Sequence, residues 1–283
     1  IRKFGIHWCQ KLIFPSLKFG MPLIFNGISL LVLAMSARYF IKTIISVEAG
    51  GIYGIVYKFG MVLNMILVTP FIQAWQPFVF KVERHPDQKL IYQKIALYFV
   101  QAGIFFWLAI SIGAKYLILW TTTTPYHAGI FIIPFITFSY FLYGLHAIFK
   151  TGALLKNVTL KITFFGVLAA LINIVLNILL IPVWQLLGAA VATLLSYLLM
   201  VVLVIQLSQR MFPINWLWKK MILIIILGVC VFLLSLIQIS NVTLNGLKDV
   251  VLIFLLPTLM VMFKLFSLKE AKSFYKRLRK DQN

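Results

Sequence analysis

An all-α fold, a polytopic membrane bundle of about eight transmembrane helices, follows from three features of this 283-residue sequence. The first is composition. Hydrophobic residues make up 62% of the chain and charged residues 11%, for a mean hydropathy of +1.01. A soluble domain of this length needs a polar shell that such a composition does not provide. The second is length of run. Crossing about 30 Å of hydrocarbon takes roughly 20 apolar residues in a helix, and eight stretches reach or approach that length: 19–41, 51–79, 92–114, 126–149, 160–182, 186–208, 218–238 and 247–266. The third is charge. Of 26 Lys and Arg residues, 21 fall in alternate gaps between those stretches: 1–18, 81–94, 150–161, 210–220 and the tail from Lys264. Basic residues resist translocation, so the alternation assigns these gaps to the cytoplasm.

Backbone groups in lipid must be satisfied within the segment, by a helix or a closed barrel. The runs are continuous and lack the period-2 alternation of barrel strands, so each is expected to be helical. An even number of crossings puts both ends of the chain on the cytoplasmic side. Pro22, Pro70, Pro77 and Pro134 lie in or near spans and are expected to kink them. The short connection from Pro182 to Gly188 is uncharged and reads as a tight external hairpin. The residues 1–210 form a six-helix unit, and 211–283 supply two plainer Leu/Ile/Val-rich helices and a basic cytoplasmic tail. Because the chain begins at Ile1 rather than Met, it is expected to be a piece of a longer protein.

The net charge of +20 does not point to nucleic acid, because the basic residues sit at membrane boundaries instead of on one soluble face. There they anchor helices against anionic lipid headgroups. Cys9 and Cys230 have no partner motif and read as small hydrophobes.

Catalytic chemistry is poorly represented. Glu48, Glu83, Asp87, Asp249, Glu270 and Asp281 all map to loops or helix ends. His7, His85, His127 and His146 show no metal-ligand spacing, and His146, inside a span, is expected to make an interhelical hydrogen bond. No catalytic residue and no metal site is therefore expected. Basic chemistry is present instead. Lys58 lies inside the second apolar stretch, where an ionisable group is costly and usually faces a cavity or a partner; the competing role is snorkelling of its long stem. Arg38 and Lys42, at the outer end of the first stretch, are placed to join Lys58 in a cationic patch, which suits a phosphate or pyrophosphate. Asn173 and Asn177 share a helix face, and the hairpin brings Thr193 near them. Their oxygens suit a hard cation such as Na⁺, although the same groups also serve as interhelical glue.

Three stretches, in this order and spacing, carry a resemblance. The first runs through Arg38-Tyr39-Phe40-Ile41, Gly51-Ile52-Tyr53-Gly54-Ile55 and Tyr57-Lys58. The second is Ala74-Trp75-Gln76-Pro77-Phe78. The third comprises Asn173-Ile174-Val175-Leu176-Asn177, Leu180-Ile181-Pro182 and Gly188-Ala189-Ala190-Val191-Ala192-Thr193. Together they resemble the C-terminal half of a Wzx-type polysaccharide (O-antigen or capsule) flippase, in the superfamily of multidrug and oligosaccharidyl-lipid exporters. The resemblance implies two six-helix lobes around a central cavity, with an N-terminal lobe missing from this chain. It implies a cargo of undecaprenyl-pyrophosphate-linked oligosaccharide moved by alternating access. Lys58, Arg38, Lys42 and Tyr57 become substrate-binding candidates, and Asn173, Asn177 and Thr193 a candidate cation site. The coupling ion would be Na⁺ or H⁺, with no other cofactor. Expected partners are membrane lipids, the polysaccharide polymerase and the chain-length machinery, and not nucleic acid. Relatives often carry a carboxylate at the cation site and an Asp where Ala37 stands; both are absent here. The rival readings are a multidrug exporter of the same superfamily and an integral-membrane glycan polymerase or transferase.

Overall fold

The computed structural model describes residues 10–237, 241–263 and 265, without the side chains of 10–23, 26 and 242. His7, Cys9, Glu270, Asp281 and the basic tail 267–283 lie outside the described residues. All regular structure among the described residues is helical: α1 (Gln10–Ile44), α2 (Val47–Gly60), a π-helical turn (Asn64–Val68), α3 (Thr69–Val82), α4 (Gln88–Thr121), α5 (Thr124–His127), a 3₁₀ turn (Ile130–Ile132), α6 (Ile133–Phe149), α7 (Thr151–Leu155), α8 (Thr159–Met211), α9 (Trp218–Ser235) and α10 (Val242–Met262). Seven helical segments among them are long and apolar enough to cross a membrane. The chain is a multi-pass helical membrane protein.

The 53-residue α8 supplies two crossings. Straight, it would be about 80 Å long, more than twice the hydrocarbon thickness. Gln185 interrupts it with φ 50° and ψ −126°. A Cβ placed on Gly188 would lie 2.3 Å from the carbonyl oxygen of Leu180. Eight residues of straight helix rise about 12 Å, so the chain has reversed between these positions. α8 is therefore a hairpin with arms 159–184 and 186–211, where the uncharged Pro182–Gly188 connection was expected.

The prolines act differently from one another. Pro70 opens α3 directly after the π-helical turn, in which Thr69 donates to Asn64, five residues back. Proline cannot donate and its ring crowds the preceding turn, so one wide turn accommodates it. Pro134 stands second in α6, at the start of a helix where proline is tolerated, and follows the 3₁₀ turn within the span 124–155. Pro77 and Pro182 lie inside α3 and α8.

Two compact units are interleaved along the chain. The first comprises 1–55 with 146–213, and the second 56–145 with 214–283. In the first unit, α1 packs along α8. α1 buries Ser29, Leu33, Ala37 and Ile41, spaced four apart on one face. α8 offers the small residues Gly166, Ala169 and Ala170, which permit close helix approach. Asn157 takes φ 55° after α7, a left-handed position that Asn tolerates, and the Val158 amide donates back to Ala153. The turn leads directly into α8.

In the second unit, aromatic rings connect α3, α4, α6 and α9. Phe71 meets Phe99 at 4.5 Å, Phe99 stacks on Phe141 at 6.1 Å, and Trp107 touches Phe138 and Phe232 at 5.5 and 5.3 Å. α4 and α6 interlock reciprocally: Phe141 covers Gly103, and Phe99 covers Gly144. A Cβ on either glycine would approach the ring to 2.5 or 2.2 Å. The spans containing α4 and α6 are much more buried than the other described spans. Large apolar side chains such as Trp120, Val183 and Phe254 remain exposed, as a surface facing lipid requires.

Candidate functional site

Polar side chains gather at three places. The first lies within the first unit, between α1 and the first arm of α8. Asn173 and Asn177 are fully buried, one turn apart on the face of α8 that meets α1. Ser36 Oγ donates to Asn173 Oδ1 at 2.6 Å. Asn177 Nδ2 donates to the same oxygen at 2.9 Å and to Ser36 Oγ at 3.3 Å. The two amides share one face of α8, as their spacing implies, and bond to each other with Ser36 as a third member. Thr193 is also buried, and its hydroxyl donates to the Ala189 carbonyl one turn back on its own helix. Asn177 Oδ1 accepts no hydrogen bond from the described residues. As a donor set for Na⁺, this cluster offers one uncommitted amide oxygen and no carboxylate, so it fits interhelical hydrogen bonding better than a hard-cation cage.

A mutational ordering follows. Asn173→Ala leaves both the Ser36 hydroxyl and the Asn177 amide without their shared acceptor. It is expected to cost about 1 kcal/mol and to lower the thermal midpoint more than Asn177→Ala, which preserves the Ser36–Asn173 bond. Thermal unfolding of the detergent-purified protein, followed by tryptophan fluorescence, checks the order.

The second place is the end of α2. Tyr57 is buried, and its hydroxyl lies 2.8 Å from that of Tyr140 on α6, with the rings edge to face. Gly60, one turn on, admits Ile136 so closely that a Cβ would meet it at 2.7 Å. This tight contact turns Tyr57 into the packing between α2 and α6. Lys58, about 100° further round the helix, is exposed. Lys58 lies in the last turn of α2, eleven residues on from its start at Val47 and inside the apolar span 47–82. Arg38 and Lys42 share a face of α1, with Arg38 half-buried and Lys42 exposed. Lys42 packs its Cβ 3.3 Å from where a Cβ of Gly50 would stand. Arg38 and Lys42 belong to the first unit, and Tyr57 and Lys58 to the second.

The third place was not foreseen. Asp249 does not lie at a loop or helix end: it is the eighth residue of α10 and only 3% exposed. The correction arises at the helix start. Asn241 caps α10 by accepting from the Thr243 and Leu244 amides, so the helix begins well before the apolar run. Tyr116 of α4 donates to Asp249 Oδ2 at 2.6 Å, and Lys248 Nζ lies 3.2 Å from Oδ1. Lys248 also donates to the carbonyls of Ser235, at 3.1 Å, and Ile237, beyond the end of α9. Further along the same pair of helices, Tyr98, Gln101, Phe105, Pro257 and Met260 line an apolar crevice of ≈ 510 Å³.

His146 also departs from expectation. It is buried, but neither ring nitrogen has a hydrogen-bond partner among the described residues. Among those residues, no group of three or more His, Cys, Asp or Glu is placed to hold a metal ion.

The fold defines a polytopic helical membrane protein in which Ser36 with Asn173 and Asn177, Tyr57 with Tyr140, and Tyr116 with Asp249 join helices to one another. Residues 2–83 match the family model described as polysaccharide biosynthesis protein. It takes in Arg38, Lys42, Tyr57, Lys58 and the Ala74–Phe78 motif, and ends before the asparagine pair. No curated protein and no solved structure matches the chain.

Proposed function

We propose that the chain is part of a flippase that carries an undecaprenyl-pyrophosphate-linked oligosaccharide across the cytoplasmic membrane for surface-polysaccharide synthesis. The carrying observation is the family match over residues 2–83, which encloses Lys58, an exposed lysine within the apolar helical span 47–82. Lys58, with Arg38 and Lys42, supplies positive charge for the pyrophosphate, and Tyr57 fixes the helix that bears Lys58. The protein works with a further N-terminal lobe and alternates access to the two leaflets without forming or breaking bonds in the cargo. Coupling to a gradient of Na⁺ or H⁺ drives the cycle. Both ends of this chain face the cytoplasm, a reading supported by the alternation of basic gaps. The polysaccharide polymerase and chain-length proteins receive the product on the far side.

The test is direct. The full-length protein, reconstituted in vesicles with a fluorescent lipid-linked oligosaccharide in one leaflet, is expected to move it to the other without chemical change. A covalently altered or lengthened glycan would overturn the proposal in favour of a polymerase or transferase.

A further inference from the structure

Within the second unit, α4 and α10 leave between them the apolar crevice of ≈ 510 Å³. Tyr98, Ala102, Phe105 and Phe106 line it from α4, and Pro257 and Val261 from α10. The α4 residues recur at helical spacing and form one stripe of that helix. The space has a local origin. Ala102 and Pro257 are short side chains that cannot fill it. Gln101 Nε2 donates to the Leu265 carbonyl at 2.7 Å, which fixes the chain just beyond α10 against α4. Phe254 and Val261 of α10 are exposed, so the crevice opens on a surface that lipid covers.

Hydrocarbon fills a gap of this kind, because lipid tails are as apolar as its wall and an empty space forfeits dispersion contacts. Filling alone selects no particular lipid. Charge does. Lys94 lies one turn before Tyr98 and two turns before Gln101, on the same stripe of α4. It belongs to the basic gap 81–94, where Lys81, Arg84, Lys89 and Lys94 outnumber Glu83 and Asp87. From Lys94 to Phe106 the helix rises about 18 Å. One leaflet is half of a hydrocarbon layer about 30 Å thick. A lipid with its phosphate at Lys94 thus has a tail of suitable length to follow the stripe as far as Phe106.

From this we infer that the crevice between α4 and α10 binds one membrane phospholipid with an anionic headgroup. Its phosphate is held at Lys94, and one acyl chain lies along Tyr98, Ala102 and Phe105 against Pro257 and Val261. The tail occupies space that neither helix fills, and the headgroup decides which lipid stays. A zwitterionic phospholipid pairs its phosphate with its own ammonium and offers the lysine no net charge, so the anionic one is preferred. The site uses neither Lys58 nor Arg38 nor Lys42, and it does not rest on the flippase reading.

Native mass spectrometry tests it on the full protein, purified in mild detergent and equilibrated with equal amounts of phosphatidylglycerol and phosphatidylcholine of the same acyl composition. The expected result is a single-lipid adduct in which phosphatidylglycerol exceeds phosphatidylcholine about fivefold, the scale of one lysine beside a charged headgroup. Lys94→Gln is expected to bring the two lipids to parity while keeping the adduct. Ala102→Trp, which fills the crevice, is expected to remove the adduct with either lipid. Phosphatidylglycerol carrying a diazirine in mid-chain gives a readout that needs no variant to fold: on the wild-type protein it is expected to label residues 98–106 and 257–261. Equal adducts of the two lipids in the wild type, labelling spread over other spans, or an adduct that survives Ala102→Trp would each overturn the inference. A polyprenyl phosphate that displaces phosphatidylglycerol at equal concentration would assign the crevice to a different lipid and overturn it too. Cargo movement enters none of these readouts, so failure here is separate from failure of the flippase proposal.

Discussion

Gly188→Val is expected to prevent the two arms of α8 from closing, and the protein to lose most of its yield in the membrane. The added carbons would stand where the Leu180 carbonyl oxygen already is, 2.3 Å from the new Cβ. A flexible side chain can rotate away from such a contact, but a backbone carbonyl inside a helix moves only with the helix. Overpacking of this kind costs typically 1–3 kcal/mol and more where nothing yields, so a loss of about 3 kcal/mol is the expected scale. Gly188→Ala should show a reduced form of the same defect. Gly27→Ala on α1 is the control, because a Cβ there meets nothing within 4 Å and alanine is the better helix former. Size-exclusion recovery and the thermal midpoint of the purified proteins report both effects. A Gly188→Val protein as stable as the control would mean that the arms are not packed against each other at this point.

Lys58→Glu carries the second large effect, on function and not on folding. The side chain is exposed and opposes no neighbour whose packing depends on it, so membrane insertion and helical content should be preserved. A charge-assisted hydrogen bond to a phosphate contributes about 1.5–3 kcal/mol, and each 1.4 kcal/mol is a factor of ten. Removing it as Lys58→Gln should reduce export about 10- to 100-fold. Reversing the charge adds repulsion and should abolish export. Surface polysaccharide in cells carrying the variant as their only copy is the measurement. Wild-type polysaccharide in Lys58→Glu removes this lysine from the mechanism. Tyr57→Phe separates the two neighbours: it loses the Tyr140 contact and is expected to lower stability more than transport.

Much of the architecture was legible from hydropathy and charge because lipid punishes every other arrangement of an unpaired backbone. The eight expected crossings correspond to seven helical segments with α8 folded on itself, and the fold-back falls where an uncharged Pro–Gly connection interrupts the apolar run. Helix starts were less legible. Hydropathy registers the first apolar residues, whereas α10 begins with the Asn241 cap and a partly polar turn. That difference moved Asp249 from an apparent helix end to an interior position. Pro70 announced a disturbance but not its form, a single wide turn.

At the candidate sites, contacts local in sequence could be read and distant ones could not. Asn173 and Asn177 share a face by helical spacing alone. Ser36 and Tyr140 reach their partners across 137 and 83 residues of chain, and no periodicity relates them. Tyr116 and Asp249 are 133 residues apart. A lone serine or tyrosine in an apolar run gives no sign of which distant helix it will meet.

The reciprocal seating of Phe141 on Gly103 and Phe99 on Gly144 has a mechanical consequence. One peg in one socket lets two rods pivot, but two opposed pegs block both axial slip and rolling. α4 and α6 therefore behave as a single beam, and shape changes within their unit must be absorbed elsewhere. The π-helical turn before Pro70 is suited to that task, since its wide hydrogen-bonded ring can tighten or loosen by one residue without unthreading either peg.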